Sequence, residues 1–427
     1  MSVFSQILGL NARNHLYTSR YNSRKGRNIA KSKLLTKRFL KKNGFPHPEL
    51  HGVFRRFADV PHFDWGALRK NFVIKPSKGY GGDGIIIVKR RMGSERFMTV
   101  QNEEVYLDDL KLHILDILEG NYSKYDIPDV AFIEERVPKH PKFRRYAYRG
   151  TPDIRILVFN QVPVMAMLRL PTSESKGKAN LHQGGLCVGL DLATGITTHG
   201  MIFDRPVQSV PDTNVKVNGL RLPYWDEMLE IALAVQRKVE LGYLAVDFVL
   251  DHVRGPLVLE LTASSGLGIQ IANRAGLRKR LERVEGLEQA GKGRGIQISR
   301  ALFGESFADK VLAERGAKIV GFLESAKVRD SKGKRTEVQA KVDTGAFRTS
   351  IDRKLAQDLG LLREKNILWK KYYVSAMGRE QRPIIELTFW LKGRRVKTAA
   401  NVSNRSKFKE KLLVGRRDLK TFLVRAE

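Results

Sequence analysis

The chain has 427 residues, enough for two or three domains, and at 42% apolar and 8% aromatic it has the material for buried cores rather than for disorder. It carries 77 Lys+Arg against 45 Asp+Glu, a formal net charge of +32, which points to an anionic partner: nucleic acid, an acidic peptide, an anionic polymer or a membrane surface. Cys187 is the only cysteine, which excludes an intrachain disulfide and a Cys-based zinc site and fits a reducing, cytoplasmic setting. The opening MSVFSQILGLNARNHLY lacks a basic stretch followed by a long apolar core, so it does not read as a signal peptide. No apolar run approaches the roughly 18 residues that a membrane span needs.

In chain order, residues 1–70 are basic and mixed, with a helix predicted over Ile29–Asn43 and ended by Gly44 and Pro46. Asn71-Phe-Val-Ile-Lys-Pro reads as a β-branched strand, followed by a glycine-rich loop over Ser77–Gly84 and a second strand over Ile85–Arg90. Leu107–Leu118 reads as a helix, Val130–Val137 as a strand, and Asp153–Asn160 with Val162–Leu170 as a hairpin. Trp225–Leu241 has helical periodicity. Leu244–Asp251 and Gly255–Leu261 read as paired strands turned at His252–Arg254. The charged, glycine-dotted stretch 277–300 reads as a helix plus a surface connection. Beyond about Ala317 the texture becomes short strands with turns: Ile319–Leu323, Glu337–Val342, Tyr372–Ser375 and Ile384–Trp390. Residues 318–427 hold 28 Lys+Arg against 12 Asp+Glu, half of the excess charge in about a quarter of the chain.

Gly79-Tyr-Gly-Gly-Asp-Gly84 lets backbone N–H groups approach phosphate oxygens closely, although a plain hairpin turn uses glycine equally well. The loop joins strand to strand. Dinucleotide fingerprints and P-loops instead enter a helix, so both are disfavoured. A strand–loop–strand flap over phosphates remains, with Lys75 at the strand end before it; kinases place their lysine after the glycines.

Asp247 and Glu260 are isolated acids in two adjacent apolar strands. A buried carboxylate needs compensation, and a divalent cation bridging ATP phosphates is one compensator. An acid facing water at a strand end is the plainer alternative.

The ordered set Lys75-Pro, the glycine flap, Phe132-Ile-Glu-Glu-Arg-Val, Asp153-Ile-Arg155, Met167-Leu-Arg169, Asn180-Leu-His-Gln-Gly-Gly185, Val246-Asp247 and Leu259-Glu-Leu resembles the ATP-grasp superfamily, in particular the alpha-L-glutamate ligase-related proteins. Leu8-Gly-Leu-Asn-Ala-Arg-Asn14 and Lys33-Leu-Leu-Thr-Lys37 look like the same subgroup, and the resemblance spans roughly residues 5–280. It implies an ATP-dependent carboxylate–amine ligase working through an acyl phosphate with ATP and Mg²⁺, or Mn²⁺ in its place. By the same resemblance Lys33, Lys75 and the flap glycines Gly79, Gly81, Gly82 and Gly84 would hold the phosphates. Glu134, Glu135 and Val137 would form the adenine hinge. Asp247, Glu260 and Thr262 would hold the metal, and Arg155, Arg169 and Asn180 would face the γ-phosphate and the activated carboxyl group. Thr262 stands where these ligases usually carry a metal-binding Asn, a poorer ligand that puts turnover in question.

Gln339-Ala-Lys-Val-Asp343-Thr-Gly, with Leu412-Leu-Val-Gly415-Arg near the end, resembles retropepsin-like aspartic peptidases, closest to proteins once described as ATP-dependent zinc proteases. Such chemistry needs two aspartates sharing a proton. One Asp-Thr-Gly per chain therefore implies a homodimer with Asp343 contributed by each copy. Zinc is disfavoured because the segment has neither Cys nor His.

The expected organisation is an α/β (α+β) ATP-grasp domain over 1–310, followed by a small all-β retropepsin-like barrel over 318–427. The first comprises an N-terminal part of about 1–70, a nucleotide flap of about 71–137, a metal and phosphate part of about 150–280 and a helical connection over 281–317. The expected substrates are an amino acid such as glutamate and an acidic peptide or anionic polymer, with product trimming or binding by the second domain. Two rivals stay open: a nucleotide-binding adaptor with reduced catalysis, and a basic nucleic-acid-binding protein. Against the latter, no helix-turn-helix or zinc-finger spacing is present, nor a basic stripe interleaved with aromatics.

Overall fold

A computed structural model describes residues 6–79, 81–287, 294–304, 318–375, 378–419 and 422–425. The chain divides into two compact units, Met1–Ala308 and Asp309–Glu427. Part of the helical connection expected over 281–317 lies outside the described residues; within it helices cover Leu277–Val284 and Arg294–Phe303. Among the described residues no helix is long and apolar enough to cross a membrane.

The first unit is built on two sheets. One has six strands in the spatial order Leu50–Phe54, Ala131–Glu135, Phe72–Pro76, Ile86–Arg91, Arg96–Thr99 and Glu104–Tyr106. Its neighbours all run antiparallel. The helix Leu107–Glu119 covers it because Leu110, Ile114 and Ile117 recur at helical spacing and bury against Phe72, Ile74 and Phe97. Gly120, at φ 100°, ends that helix in the left-handed conformation that glycine adopts without strain.

The second sheet has seven strands, ordered Arg205–Val207, Thr197–Ile202, Leu186–Leu190, Val162–Leu170, Asp153–Phe159, Tyr243–Asp251 and Gly255–Thr262. Its central strands are almost wholly buried, and the helix Trp225–Val239 packs Met228, Leu229, Ala232 and Leu233 into the same core. Two hairpins, 153–170 and 243–262, thereby lie side by side.

The single helix expected over Ile29–Asn43 is instead two, Arg24–Lys31 and Lys33–Lys42. Ser32 between them is extended (φ −127°, ψ 121°), and its hydroxyl accepts the Leu35 N–H as an N-cap. The same hydroxyl meets that of Ser77 at 2.8 Å, while Lys33 N–H donates to the Ser77 carbonyl. The break thus moors the second helix to the root of the glycine loop.

The second unit contains a closed six-stranded barrel, ordered Leu323–Arg329, Arg335–Asp343, Leu412–Gly415, Ser350–Asp352, Arg394–Ser403 and Gly378–Leu391. Pairing of Ala326–Val328 with Phe389–Leu391 closes it. Strand Ile367–Ser375 extends Gly378–Leu391 as a hairpin. The strand expected over Ile319–Leu323 is split: Lys318–Val320 pairs in parallel with Phe422–Val424, and Leu323 begins the barrel.

Candidate active site

Strand register brings the acids and arginines of the two hairpins together. Asp247 lies directly opposite Glu260 on one side and Arg155 on the other, and Asp153 pairs with Arg169 across the neighbouring hairpin. Arg155 donates to both carboxylate oxygens of Asp247, from Nε to Oδ1 and from Nη2 to Oδ2, each at 2.7 Å. Arg169 adds a third bond, Nη2 to Oδ2 at 2.8 Å, and spends its Nε on Asp153 at 2.5 Å. Asp247 is 1% exposed, so a bidentate clamp plus a second guanidinium supplies the compensation that its burial demands.

Electrostatics separate the two aspartates. Burial raises Asp153 to about 6, with the Asp247 charge adding to the shift and Arg169 opposing it. Burial pushes Asp247 the same way, but Arg155 and Arg169 outweigh it and hold its carboxyl down at about 2. Asp247 is therefore the anion of the pair, and Asp153 is the group that takes a proton first. Cys187, paired with Arg169 across strands, is buried and its thiol is pushed up to about 12, as befits a small core residue.

Glu260 is half-buried, with Lys33 Nζ 3.5 Å from its Oε1. The same Lys33 ammonium donates to the Gly79 carbonyl at 2.9 Å. One lysine thus joins the first glycine of the loop to the second hairpin. On the far side of the loop, Asn180 Nδ2 donates to the Gly81 carbonyl at 2.7 Å, and Lys178 and Gln183 each reach Asp83 Oδ1 at 3.3 Å. Gly81, Gly82 and Gly84 all have positive φ, and a Cβ on Gly84 would fall 2.6 Å from Tyr122 Cγ. Those backbone angles favour glycine at all three positions.

Lys75 faces Glu134, which is 2% exposed and also pairs with Lys37 Nζ at 2.5 Å. Lys37 is itself 3% exposed and donates to the Pro48 carbonyl. Burial lowers its pKa against the pull of Glu134, whereas Glu134, although burial would raise it, is held low by the two lysines. The Glu134 side chain is therefore committed to this triad. Glu135, next along the strand, accepts from Arg254 Nη2 at 2.6 Å and from the Glu49 N–H. Val137 is buried in an apolar cluster with Val249 and Leu257.

The donors present at the paired strands are hard oxygens: the carboxylates of Asp247 and Glu260, and the hydroxyl of Thr262 at the same strand's end. Among the described residues no group of three or more His, Cys, Asp or Glu could hold a metal. Both Asp247 oxygens are taken by Arg155 and Arg169, so Glu260 and the Thr262 hydroxyl are the accessible donors, a set that fits a cation completing its shell with phosphate and water rather than one caged by protein.

The sequence placed Lys37, Asp153 and Arg13 within motifs but gave none of them a role. Arg13 is 8% exposed and donates to the carbonyls of Ser264 (3.1 Å) and Ser265 (2.7 Å), bracing the turn just beyond Thr262. Lys37 had a signal in its position four residues after Lys33, one turn along the same helix.

In the second unit Asp343 ends a barrel strand opposite Gly415, and its Oδ1 accepts from the N–H groups of Gly345 (2.9 Å) and Ala346 (3.0 Å). A Cβ on Gly415 would lie 2.5 Å from the Arg348 carbonyl carbon. Thr349 is fully buried, donates to Asp418 Oδ2 at 2.5 Å and accepts from the Gly415 N–H. The strand Leu412–Gly415 therefore packs directly behind the Asp343 loop.

Residues 12–286 match the sugar-transfer associated ATP-grasp family. No curated protein matches the chain. Among solved structures, the chain is similar to the ATP-grasp ligase PsnB complexed with a phosphomimetic variant of its minimal precursor, Mg and ADP, at 14% identity over 62% of this chain and 61% of that one, with a TM-score of 0.34. The chain thus spans less than two thirds of that ligase. It is also similar to the D-cycloserine synthetase DcsG, at 16% identity over 60% of this chain and 71% of that one, with a TM-score of 0.34. The protease of simian foamy virus (mac) is similar at 22% identity over 23% of this chain and 90% of the protease, with a TM-score of 0.18.

Proposed function

The chain belongs to the sugar-transfer associated ATP-grasp family, and from that premise we propose that it is an ATP-dependent carboxylate–amine ligase. The observation that carries the reading is the meeting of loop and hairpin at Lys33, which touches both Gly79 and Glu260. That contact supports a reading in which the glycine loop covers the phosphates near Glu260, Asp247 and the arginines that clamp it.

Family membership implies ATP and a divalent cation. In this reading Glu260 and the Thr262 hydroxyl would hold Mg²⁺, or Mn²⁺ in its place, and Asp247 would join them by giving up an arginine bond; that cation would neutralise phosphate charge. Lys33, Lys75 and the backbone of Gly79, Gly81, Gly82 and Gly84 bind the phosphates, and the backbone of 134–137 with the Val137 cluster receives the adenine. A carboxylate oxygen of one substrate attacks the γ-phosphorus and ADP leaves. The amine nitrogen of the other then attacks the acyl carbon, phosphate leaves and the nitrogen gives its proton to water. Arg155, Arg169 and Asn180 neutralise and orient the transferring group. The arginines suit the work because their planar forks match phosphate and carboxylate oxygens.

The substrates we propose are an amino acid such as glutamate and an acidic peptide or anionic polymer, in keeping with the +32 charge. A second reading concerns the barrel over 318–427. The Asp343 loop backed by Gly415 supports a retropepsin-like site that trims or binds the product as a homodimer, one Asp343 from each copy.

Phosphate release from Mg-ATP by the full chain, across pools of amino acids and acidic peptides, tests the first reading. Release that needs a pool and disappears in Glu260→Ala supports it. Tight Mg-ATP binding with no release from any pool would move the reading to a nucleotide-binding adaptor, with Thr262 as the cause.

A further inference from the structure

A cleft of about 510 Å³ lies beside the proposed ligase site, between the N-terminal helices and the turn that follows the Glu260 strand. One wall is Thr262–Ser264, and the other is formed by residues of the segment 14–31. The volume falls in the range of small-molecule sites.

The wall is built rather than incidental. Arg13 donates to the carbonyls of Ser264 and Ser265, Thr18 Oγ1 to that of Ala263, and Asn22 Nδ2 to those of Ala263 and Tyr243. These bonds fasten the turn to a stretch, Arg13–Thr18, wound as a π-helix. Such winding is uncommon and concentrates at functional sites.

The charge on the cleft has one sign. Among the described residues its titratable lining groups are His15, Arg27 and Lys31, and no carboxylate lines it. Arg27 and Lys31 stand four residues apart on the helix Arg24–Lys31, hence on one face. Lys25 of the same helix is drawn away to Glu240 at 2.6 Å, whereas among the described residues Arg27 and Lys31 have no ion-pair partner.

We propose that this cleft binds the non-reacting carboxylate of an acidic substrate, with Arg27 and Lys31 as the specificity-determining cations and Thr262 marking the end where the reacting group lies. The proposal rests on the ligase reading for the word substrate, but the binding itself does not need turnover. The ligand class is a small carboxylate-bearing molecule, either an acidic amino acid or peptide or a sugar acid.

Calorimetric titration of the full chain, without ATP or Mg²⁺, with L-glutamate, L-glutamyl-L-glutamate and glucuronate tests it, with L-glutamine as the neutral control. We expect at least one of the acids to bind and glutamine to bind at least tenfold more weakly. The double variant Arg27→Ala/Lys31→Ala should weaken the acid at least tenfold, and Arg27→Lys should restore part of the loss, while Mg-ATP affinity and the unfolding midpoint stay unchanged. Preference for the dipeptide or for glucuronate tells a peptide from a sugar acid. No acid binding to the wild-type chain, or equal binding by the double variant, overturns the proposal. Acid binding that depends on Arg27 and Lys31 in a chain that never releases phosphate would leave the cleft standing and remove the ligase reading.

Discussion

Asp247 and Glu260 sit directly opposite each other on paired strands, yet they live in different electrostatic worlds. Asp247 is clamped by Arg155 and Arg169, while Glu260 is half-buried and, among the described residues, has Lys33 as its ion-pair partner at 3.5 Å. The pair is thus asymmetric: one carboxylate anchors the arginines, and the other is left accessible.

That asymmetry separates the effects of the two deletions. Asp247→Ala leaves two guanidiniums without their shared anion, and breaking such a buried pair costs on the order of 3–5 kcal/mol. Glu260→Ala removes a group with one long contact, and its stability cost should stay within about 1 kcal/mol. Urea unfolding checks this. Equal stability losses would contradict the asymmetry.

The aspartate pair also sets a pH dependence. Asp153 titrates near 6 in the folded chain against an ordinary value of 3.8, so between about 4 and 6 the native state holds more protons than the unfolded one. Its contribution to stability therefore declines as pH rises through that window. Asp247, depressed to about 2, acts with the opposite sign: its contribution is complete above about 4 and is lost as pH falls toward 2. In Mg²⁺-free buffer, Asp153→Asn should gain stability relative to wild type between pH 4 and pH 6.5. Parallel profiles would show that Asp153 is not raised.

Gly84 joins the flap to its strand at φ +70° with Tyr122 pressed against it. Gly84→Ala should cost about 1–2 kcal/mol from the left-handed backbone alone, more from the ring contact, and should weaken Mg-ATP binding. Unchanged nucleotide affinity, measured by titration, would argue that the loop does not close over phosphates.

Lys37 is a different kind of test. Lys37→Met would leave Glu134 buried with Lys75 as its one close cation. We expect a loss on the order of 3 kcal/mol and a weaker grip on nucleotide, because Lys75 would be drawn further onto Glu134. A variant as stable as wild type would show that the triad is not what compensates Glu134.

How much of this was legible in the sequence differs by element. The hairpins 153–170 and 243–262 announce themselves as apolar runs with turn residues between them, and the lone acids inside those runs are conspicuous. The flap is readable because a strand follows the glycines. The break at Ser32 was not, since a serine within a helical pattern is ordinary and the Ser77 contact that holds the break comes from a distant segment. Lys37 and Asp153 were hidden for a related reason: a charge is known to be buried only when its partners arrive, and Glu134 and Arg169 come from distant strands. The barrel's closure likewise depends on Ala326–Val328 meeting Phe389–Leu391, a pairing that local patterning does not specify.

The central claim is the acyl phosphate, and it has a direct reading. L-glutamate and L-glutamyl-L-glutamate labelled with ¹⁸O in their carboxyl groups would be incubated with the full chain, Mg-ATP and the amine pool, and the released phosphate examined by mass spectrometry. The account predicts one ¹⁸O in each phosphate, carried over when the amine displaces it, and no labelled phosphate from Glu260→Ala. Phosphate released without label would mean that water, not a carboxylate, receives the γ-phosphoryl group, and would contradict the ligase mechanism.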